Sequence, residues 1–283
     1  MMIQLIDTLQ QIRRCDSVVP FLGMCRHLHW QVRKALHLFP CELMLAGSRV
    51  HVDRPLSVAA LINSMGMYDH NNMHFIRFML LRDKATFIDV GANVGAYTLI
   101  ASEVSDSNVV SIEPHPATFS MLERNVRLNG RRNVTCLNVA LSSRDGEVCF
   151  TDVPGSSMNR VELGNNIGAA LRVPSRRLGR VCRELNVVPD LVKIDVEGHE
   201  AAVLDGFEDL RGAAKVILIE GGEGADVQRW MTTAGYAGPW YCHFKQRALL
   251  PVRQRRPEDP VFVHKSFLAE LQRMNFEVVD LRS

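Results

Sequence analysis

The 283 residues are 47% hydrophobic and 23% charged, the proportions of a chain that buries a core, which excludes disordered, collagen-like and fibrous architectures. With 33 Lys and Arg against 31 acids the formal charge is +2, which gives no support to nucleic-acid binding driven by a basic excess. The seven cysteines form no CxxC pair, which argues against a zinc ribbon or a disulfide framework, and no apolar run approaches the ~18–20 residues that span a bilayer as a helix.

Scattered cysteines and the lack of a basic-then-apolar leader pattern point to a cytoplasmic protein. Residues 1–40 read as two helices. Ile3, Leu5, Ile6, Leu9 and Ile12 form one apolar stripe; beyond Pro20, residues Leu22, Cys25, Leu28, Trp30, Val32, Leu36 and Phe39 form another. Between Asp16 and Glu42 there is no acid, whereas Arg26, Arg33, Lys34, His27, His29 and His37 all occur. Two readings of helix 21–38 stay open: packing on the domain with a solvated basic face, or a weak contact with a membrane surface or partner helix.

Residues 41–53 alternate around Ala46-Gly47-Ser48 and predict a hairpin. Residues 57–82 are helical again, with Tyr68-Asp69-His70 and Asn71-Asn72 marking a break. Residues 1–82 are therefore expected to form a cap, ahead of a ligand-binding domain over 83–283. From Thr86 short β-branched runs alternate with helical segments, the pattern of a parallel sheet covered on both faces. The runs are Thr86–Val90, Val109–Glu113, Val134–Asn138, Leu191–Asp195 and Lys215–Glu220, with helices near 95–104, 116–129, 176–186, 198–206 and 225–234. Asp145-Gly146 suggests an inserted hairpin, the Gly/Ser/Asn-rich stretch 154–168 reads as a loop, and late strands are expected near Pro239–Phe244 and Val261–His264.

The most informative segment runs from Phe87 to Leu99: a buried strand ending in Asp89, a Gly91-x-x-x-Gly95 turn, then a helix start. Glycines let a backbone turn sharply and approach a ligand. The spacing is not the G-x-G-x-x-G of pyrophosphate binders, and an acid before the turn repels a pyrophosphate but suits an ammonium. S-adenosylmethionine (SAM) carries such a group. Glu113 ends the next strand, where an acid accepts hydrogen bonds from ribose hydroxyls. Asn138, or the backbone at Val139 and Ala140, falls where an adenine amine would lie, and a plain turn asparagine is an equal reading.

A second acidic cluster, Asp195-Val-Glu197-Gly-His199-Glu200, lies where another strand enters a helix. Asp195, at the strand tip, is the first candidate for a general base, followed by Glu197 and His199; His199 also reads as an exposed first-turn residue, and Glu200 as part of a helix cap. Lys193 is expected to pair with a nearby acid. Glu220 is read equally as an acceptor-pocket residue and as a solvated strand end. No dense ligand cluster for a metal is evident, so a divalent ion is the less favoured option. Two other functional classes compete: an NAD-dependent oxidoreductase, and a non-catalytic membrane-associated or partner-binding protein that retains the fold.

Four motifs, taken in order, resemble the FkbM-type SAM-dependent methyltransferases: Phe87-Ile-Asp-Val-Gly-Ala-Asn-Val-Gly-Ala-Tyr-Thr, Glu113-Pro-His-Pro, Asn138-Val-Ala-Leu-Ser and Pro189-Asp-Leu-Val-Lys-Ile-Asp-Val-Glu-Gly-His-Glu. The resemblance implies an α/β class I methyltransferase fold: a Rossmann-like, mostly parallel seven-stranded sheet with helices on both faces. It implies SAM as cofactor, held by Asp89, Gly91, Asn93, Gly95 and Glu113; beside these, Ala92, Tyr97, Thr98, Pro114, Asn138, Val139, Ala140 and Asp195 are expected to line the cofactor site. It also implies O-methylation of a hydroxyl on a small-molecule or glycan acceptor: a sugar, polyketide or other secondary metabolite.

Overall fold

The computed structural model describes residue 12 and residues 18–82, 84–151, 161, 170–251 and 259–279. The first expected helix and the loop 154–168 lie almost wholly outside these residues; Ile12 is buried and Val161 bridges Phe150.

Helix α1 (Pro20–Ala35) starts on a proline, which costs nothing where the first N–H lacks a helical partner anyway. The hairpin β1 (Cys41–Leu45) and β2 (Ser48–Val52) follows. Leu45 pairs with Ser48, leaving Ala46-Gly47 as a two-residue turn with φ of 47° and 95°, the doubly left-handed geometry that matches strand twist. Next come α2 (Ser57–Met65) and α3 (His70–Leu80). The break thus falls at 66–69, and Asn71 and Asn72 lie inside α3, contrary to the sequence reading. Their side chains explain why asparagines are tolerated there. Asn72 donates to the Asp259 carbonyl at 2.9 Å, and Asn71 Oδ1 accepts the Phe244 amide at 3.0 Å.

The main sheet is built from β3 (Thr86–Val90), β4 (Asn108–Ile112), β5 (Val134–Leu137), β9 (Leu191–Ile194), β10 (Val216–Ile219), β11 (Tyr236–His243), β12 (Ala248–Pro251), β13 (Val261–His264) and β14 (Glu277–Val278). Their spatial order is β14-β12-β11-β13-β10-β9-β3-β4-β5. The run from β5 to β10 is parallel, whereas β10, β13, β11 and β12 pair antiparallel. The seven strands from β5 to β11 are as expected; β12 and β14 extend the sheet to nine. Helices α4 (Ala96–Ser102), α5 (Pro116–Leu128), α6 (Leu178–Leu185), α7 (Glu200–Asp205), α8 (Ala225–Thr233) and α9 (Leu268–Arg273) complete the chain. Because alternate strand residues face opposite ways, the sheet divides two cores. Phe87, Val109, Leu191 and Val216 pack with Trp30, Val50, Phe75 and Leu99; Ile88, Val110, Val192 and Ile217 pack with Val181, Leu204 and Trp230. Both faces are dry, which is why these strands read as continuous apolar runs.

The Asp145-Gly146 step does not close a hairpin. It links β6 (Ala140–Leu141) to β7 (Gly146–Thr151), and both pair with β8 (Ala170–Arg176) lying between them. Asp145 is committed elsewhere. Its carboxylate accepts the Arg177 amide and guanidinium at 2.9 Å and is held down near pKa 2 by these bonds.

One buried amide joins the N-terminal hairpin to the rest. Asn125, on α5, accepts the His51 amide at 2.7 Å and donates to the carbonyls of His51 and Val94 at 3.2 and 2.9 Å.

Candidate active site

The sheet delivers its chemistry at the C-terminal ends of β3, β4 and β9. After β3 the chain turns through Gly91, whose φ is 78°. The amides of Gly91 and Ala92 both donate to the Ile112 carbonyl, at 2.9 and 3.0 Å, which pins the loop to β4. A Cβ on Gly91 would stand 1.8 Å from the Asp195 carbonyl oxygen. Glycine is therefore required here by the neighbouring strand before any ligand is considered. Gly95, at φ 94°, begins α4.

Asp89 is buried and accepts the Thr98 hydroxyl at 2.7 Å, which in turn meets Ser111 at 2.8 Å. Burial pushes its carboxyl up, opposed by Lys193 and the Thr98 bond. Glu113 is buried too. Its two oxygens accept the amides of Asn93 and His115, each at 2.9 Å, yet burial still raises it to about 7. An acid whose charge is undersupplied by its surroundings favours a ligand that brings hydrogen-bond donors or positive charge.

These groups line a cavity of about 200 Å³. Among the residues expected from the sequence, Asp89, Gly91, Ala92, Asn93, Tyr97, Glu113, Pro114, Val139 and Ala140 stand on its wall, together with Asp195, Glu197 and His199. Gly95, Thr98 and Asn138 stand behind it. The Asn138 amide donates to the carbonyls of Glu113 and Pro114 at 2.8 and 2.9 Å, so this side chain secures the loop after β4. Ser57, Val58 and Leu61 of α2 and Tyr68, at the break, also stand on the wall; sequence reasoning missed His115 and Phe150 as lining residues. His115 sits in the Glu113-Pro-His-Pro motif, whereas only tertiary packing brings the others there.

On β9, opposite Asp89 in register, Lys193 is buried, with its ammonium 2.7 Å from Asp195, 3.8 Å from Asp259 and 4.9 Å above the Tyr97 ring. Burial opposes its charge, but Asp195, Asp259 and Asp89 outweigh this and hold it well above the ordinary lysine range. The expected ion pair is present. Burial likewise works against charge on Asp195, but Lys193 prevails and keeps that carboxyl below the usual range. Glu220 hydrogen-bonds Asp195 and is pushed up to about 8 by burial and by the charges of Asp195 and Glu197. At neutral pH the pair therefore shares one proton, carried on Glu220. Asp259 is raised to about 7, chiefly by burial.

His199 is buried, not exposed, and caps α7; its Nε2 lies 3.0 Å from Ser142 Oγ. Burial lowers its pKa, so the ring is neutral at pH 7. Glu200 Oε1 accepts the Gly198 amide at 2.9 Å, the reach-back contact of a helix start. Among the described residues, Asp195, Glu197 and Glu220 present oxygens within 4.8 Å of one another, with Lys193 already supplying Asp195 with a positive partner.

A parallel sheet with acids at the tips of adjacent strands, a glycine turn between them and an antiparallel β10-β13-β11 edge defines a class I methyltransferase fold. The sequence profile described as "Methyltransferase FkbM domain" matches residues 89–237, and the chain belongs to this family, whose cofactor is SAM. That membership sets aside the nicotinamide-dependent reading. The chain is 32% identical over 141 residues to the hexuronic acid methyltransferase AglP of Haloferax volcanii, covering 49% of this chain and 56% of that protein. It is 29% identical over 149 residues to Methyltransferase 1 of Beauveria bassiana, covering 45% and 60%. The chain thus matches little more than half the length of these relatives. Among solved structures, a SAM-dependent methyltransferase from Agrobacterium tumefaciens superposes with a TM-score of 0.42 at 9% identity, covering 68% of this chain and 58% of that one. No helix among the described residues is long and apolar enough to cross a membrane.

Proposed function

We propose that this protein transfers the methyl group of SAM to a hydroxyl of a small-molecule or glycan acceptor. The observation that carries the reading is one continuous cavity. It runs from two buried acids whose carboxyls burial pushes up, Asp89 and Glu113, to the wall formed by Asp195, Glu197 and His199. The residues fit the cofactor: Asp89 and the 91–93 backbone suit its amino-acid end, Glu113 its ribose hydroxyls, and Val139 and Ala140 its base. Bound there, SAM supplies an electrophilic methyl group on a sulfonium.

The protein's part is then to hold the acceptor oxygen in line and to take its proton. Alignment alone removes several kcal/mol of barrier. An aliphatic hydroxyl ionises near the pKa of water, ~15.7, so it must lose its proton as it reacts, and a positioned base contributes ~10²–10⁴ in rate. Asp195 is suited to this: Lys193 keeps it ionised and ready to receive, while Glu220 holds the proton the pair already shares. Neutral His199 and Glu197 flank the same wall and orient the acceptor. A hexuronic acid, the acceptor class in the name of the Haloferax relative, is the first substrate to try, with polyketide and other sugar hydroxyls next.

Isotopically labelled SAM and a panel of such acceptors, read by mass spectrometry, test the proposal. A labelled +CH₃ product whose new bond is an ether supports it. A methyl on nitrogen, carbon or carboxylate oxygen overturns the hydroxyl assignment, and failure to bind SAM overturns the whole reading.

A further inference from the structure

Helix α1 is attached to the protein by an unexpected side. Its buried residues are Gly23, His27 and Trp30, a narrow strip at i, i+4 and i+7. Gly23 sits close to Ser64, the His27 ring lies 3.5 Å from Ser64 Oγ, and Asn63 donates to the Arg26 carbonyl at 2.7 Å. Of the apolar stripe seen in the sequence, Trp30 and Phe39 pack, but the larger part does not. Phe21 is 73% exposed, Leu28 62%, Val32 53% and Leu36 63%. At 3.6 residues per turn, Phe21, Leu28 and Val32 lie roughly half a turn around from the docked strip. Large apolar side chains aligned outward on one helix mark a surface that something else covers.

The charges say what. At about 100° per residue, His29 and then Arg33 and Arg26 flank one edge of this stripe, Gln31 flanks the other, and Lys34 stands in the last turn on the docked side. No acid occurs from Ser17 to Cys41. A soluble protein partner helix would match apolar residues, but nothing in the stripe specifies opposite charges at fixed positions. An apolar face with cations along one edge and no acid on the helix is complementary to acyl chains beneath anionic headgroups. We propose that α1 docks this protein on a bilayer surface rich in anionic lipid, lying in the interface with Phe21, Leu28, Val32 and Leu36 downward. The helix is about 24 Å long, enough to lie on a membrane and too short and too charged to cross it. Helix α2 touches α1 through Asn63 and Ser64 and lines the cavity through Ser57, Val58 and Leu61. Docking therefore holds the cavity one helix away from the headgroups.

Co-sedimentation of the full chain with phosphatidylcholine vesicles, with and without phosphatidylserine, tests the proposal at low and high salt. Each basic side chain near an anionic surface is worth about fivefold in partitioning, so Arg26 and Arg33 predict on the order of 25-fold preference for the serine-containing vesicles, lost at high salt. Phe21→Ser/Leu28→Ser/Val32→Ser should lose at least ~tenfold of the binding while melting and binding SAM as the wild type does. Arg26→Gln/Arg33→Gln should lose most of that lipid preference. The proposal is overturned if the wild type stays in the supernatant, if binding is indifferent to phosphatidylserine, or if both variants bind as the wild type does. It is also overturned if light scattering shows a dimer that the triple variant dissolves, because the face then belongs to a second copy of the chain.

Discussion

Replacing Gly91 with alanine perturbs the site through geometry alone. At φ 78° an L-residue pays about 1–2 kcal/mol. The new Cβ would also sit 1.8 Å from the Asp195 carbonyl oxygen and 2.9 Å from its carbon, so one strand end must retreat from the other, at a typical overpacking cost of about 1–3 kcal/mol. The total, about 2–5 kcal/mol, is a large part of the ~5–15 kcal/mol that holds a domain folded. It corresponds to a fall in Tm on the order of 5–15 °C. Gly47→Ala is the matched control, since Gly47 has φ 95° and nothing within 4 Å of its would-be Cβ; it should pay the backbone cost only. Differential scanning calorimetry and SAM titration of both variants decide the matter. Gly91→Ala should melt well below Gly47→Ala and lose SAM binding, because Asp195 and the glycine loop move together. If the two melt within ~2 °C of each other, or Gly91→Ala binds SAM normally, the strand-contact argument is wrong.

Asp195→Asn should keep SAM affinity within a few-fold and lower kcat on a methylated acceptor by about 10²–10⁴; unchanged turnover removes Asp195 from proton transfer. Glu113, raised to about 7, must ionise to accept ribose hydroxyls, so SAM affinity measured by calorimetry should climb up to about tenfold from pH 6 to 8 and release a proton; Glu113→Gln should flatten that dependence. The same raised carboxyl stabilises the cofactor-free protein fully below its ordinary pKa of 4.5 and ceases to as pH rises through 7. Urea unfolding should therefore show stability falling by about 3 kcal/mol over that window from this group alone. Lys193→Met strips buried acids of their counter-charge and should cost about 3–5 kcal/mol near pH 8. The cost should be less near pH 5, where Glu220 and Asp259 are protonated; equal losses at both pH values would contradict the ion-pair role.

The parallel core was legible because its strands are dry on both faces and its helices carry their own punctuation: Pro116 opens α5 and Asn186 closes α6 in the left-handed conformation. What escaped has physical causes. Strand β8, with Pro174 and two arginines, lacks the apolar run of a core strand because it belongs to a small side sheet. Strands β12 and β14 are four and two residues long, below any periodic signal. Asp145-Gly146 carries turn chemistry but not the identity of the strands it joins. On α1 the pattern was read correctly as amphipathic, yet periodicity cannot say which side meets protein. There a glycine, a histidine and a tryptophan fit against α2, and the apolar side was left outward. In the site, the acids at strand tips were legible from local spacing. The surroundings of Lys193 were not, since Tyr97 and Asp259 reach it from distant parts of the chain.

The carboxamide of Asn125 clasps both His51 and Val94, which makes the first hairpin a structural brace for the glycine turn. A fragment beginning at residue 83 would keep every residue of the FkbM motif yet leave that carboxamide with its Val94 bond alone, and the core around Leu99 and Ile100 without Val50 and Phe75. The smallest working unit of this enzyme fold is consequently larger than its recognisable motif, and the residues ahead of it are foundation stones.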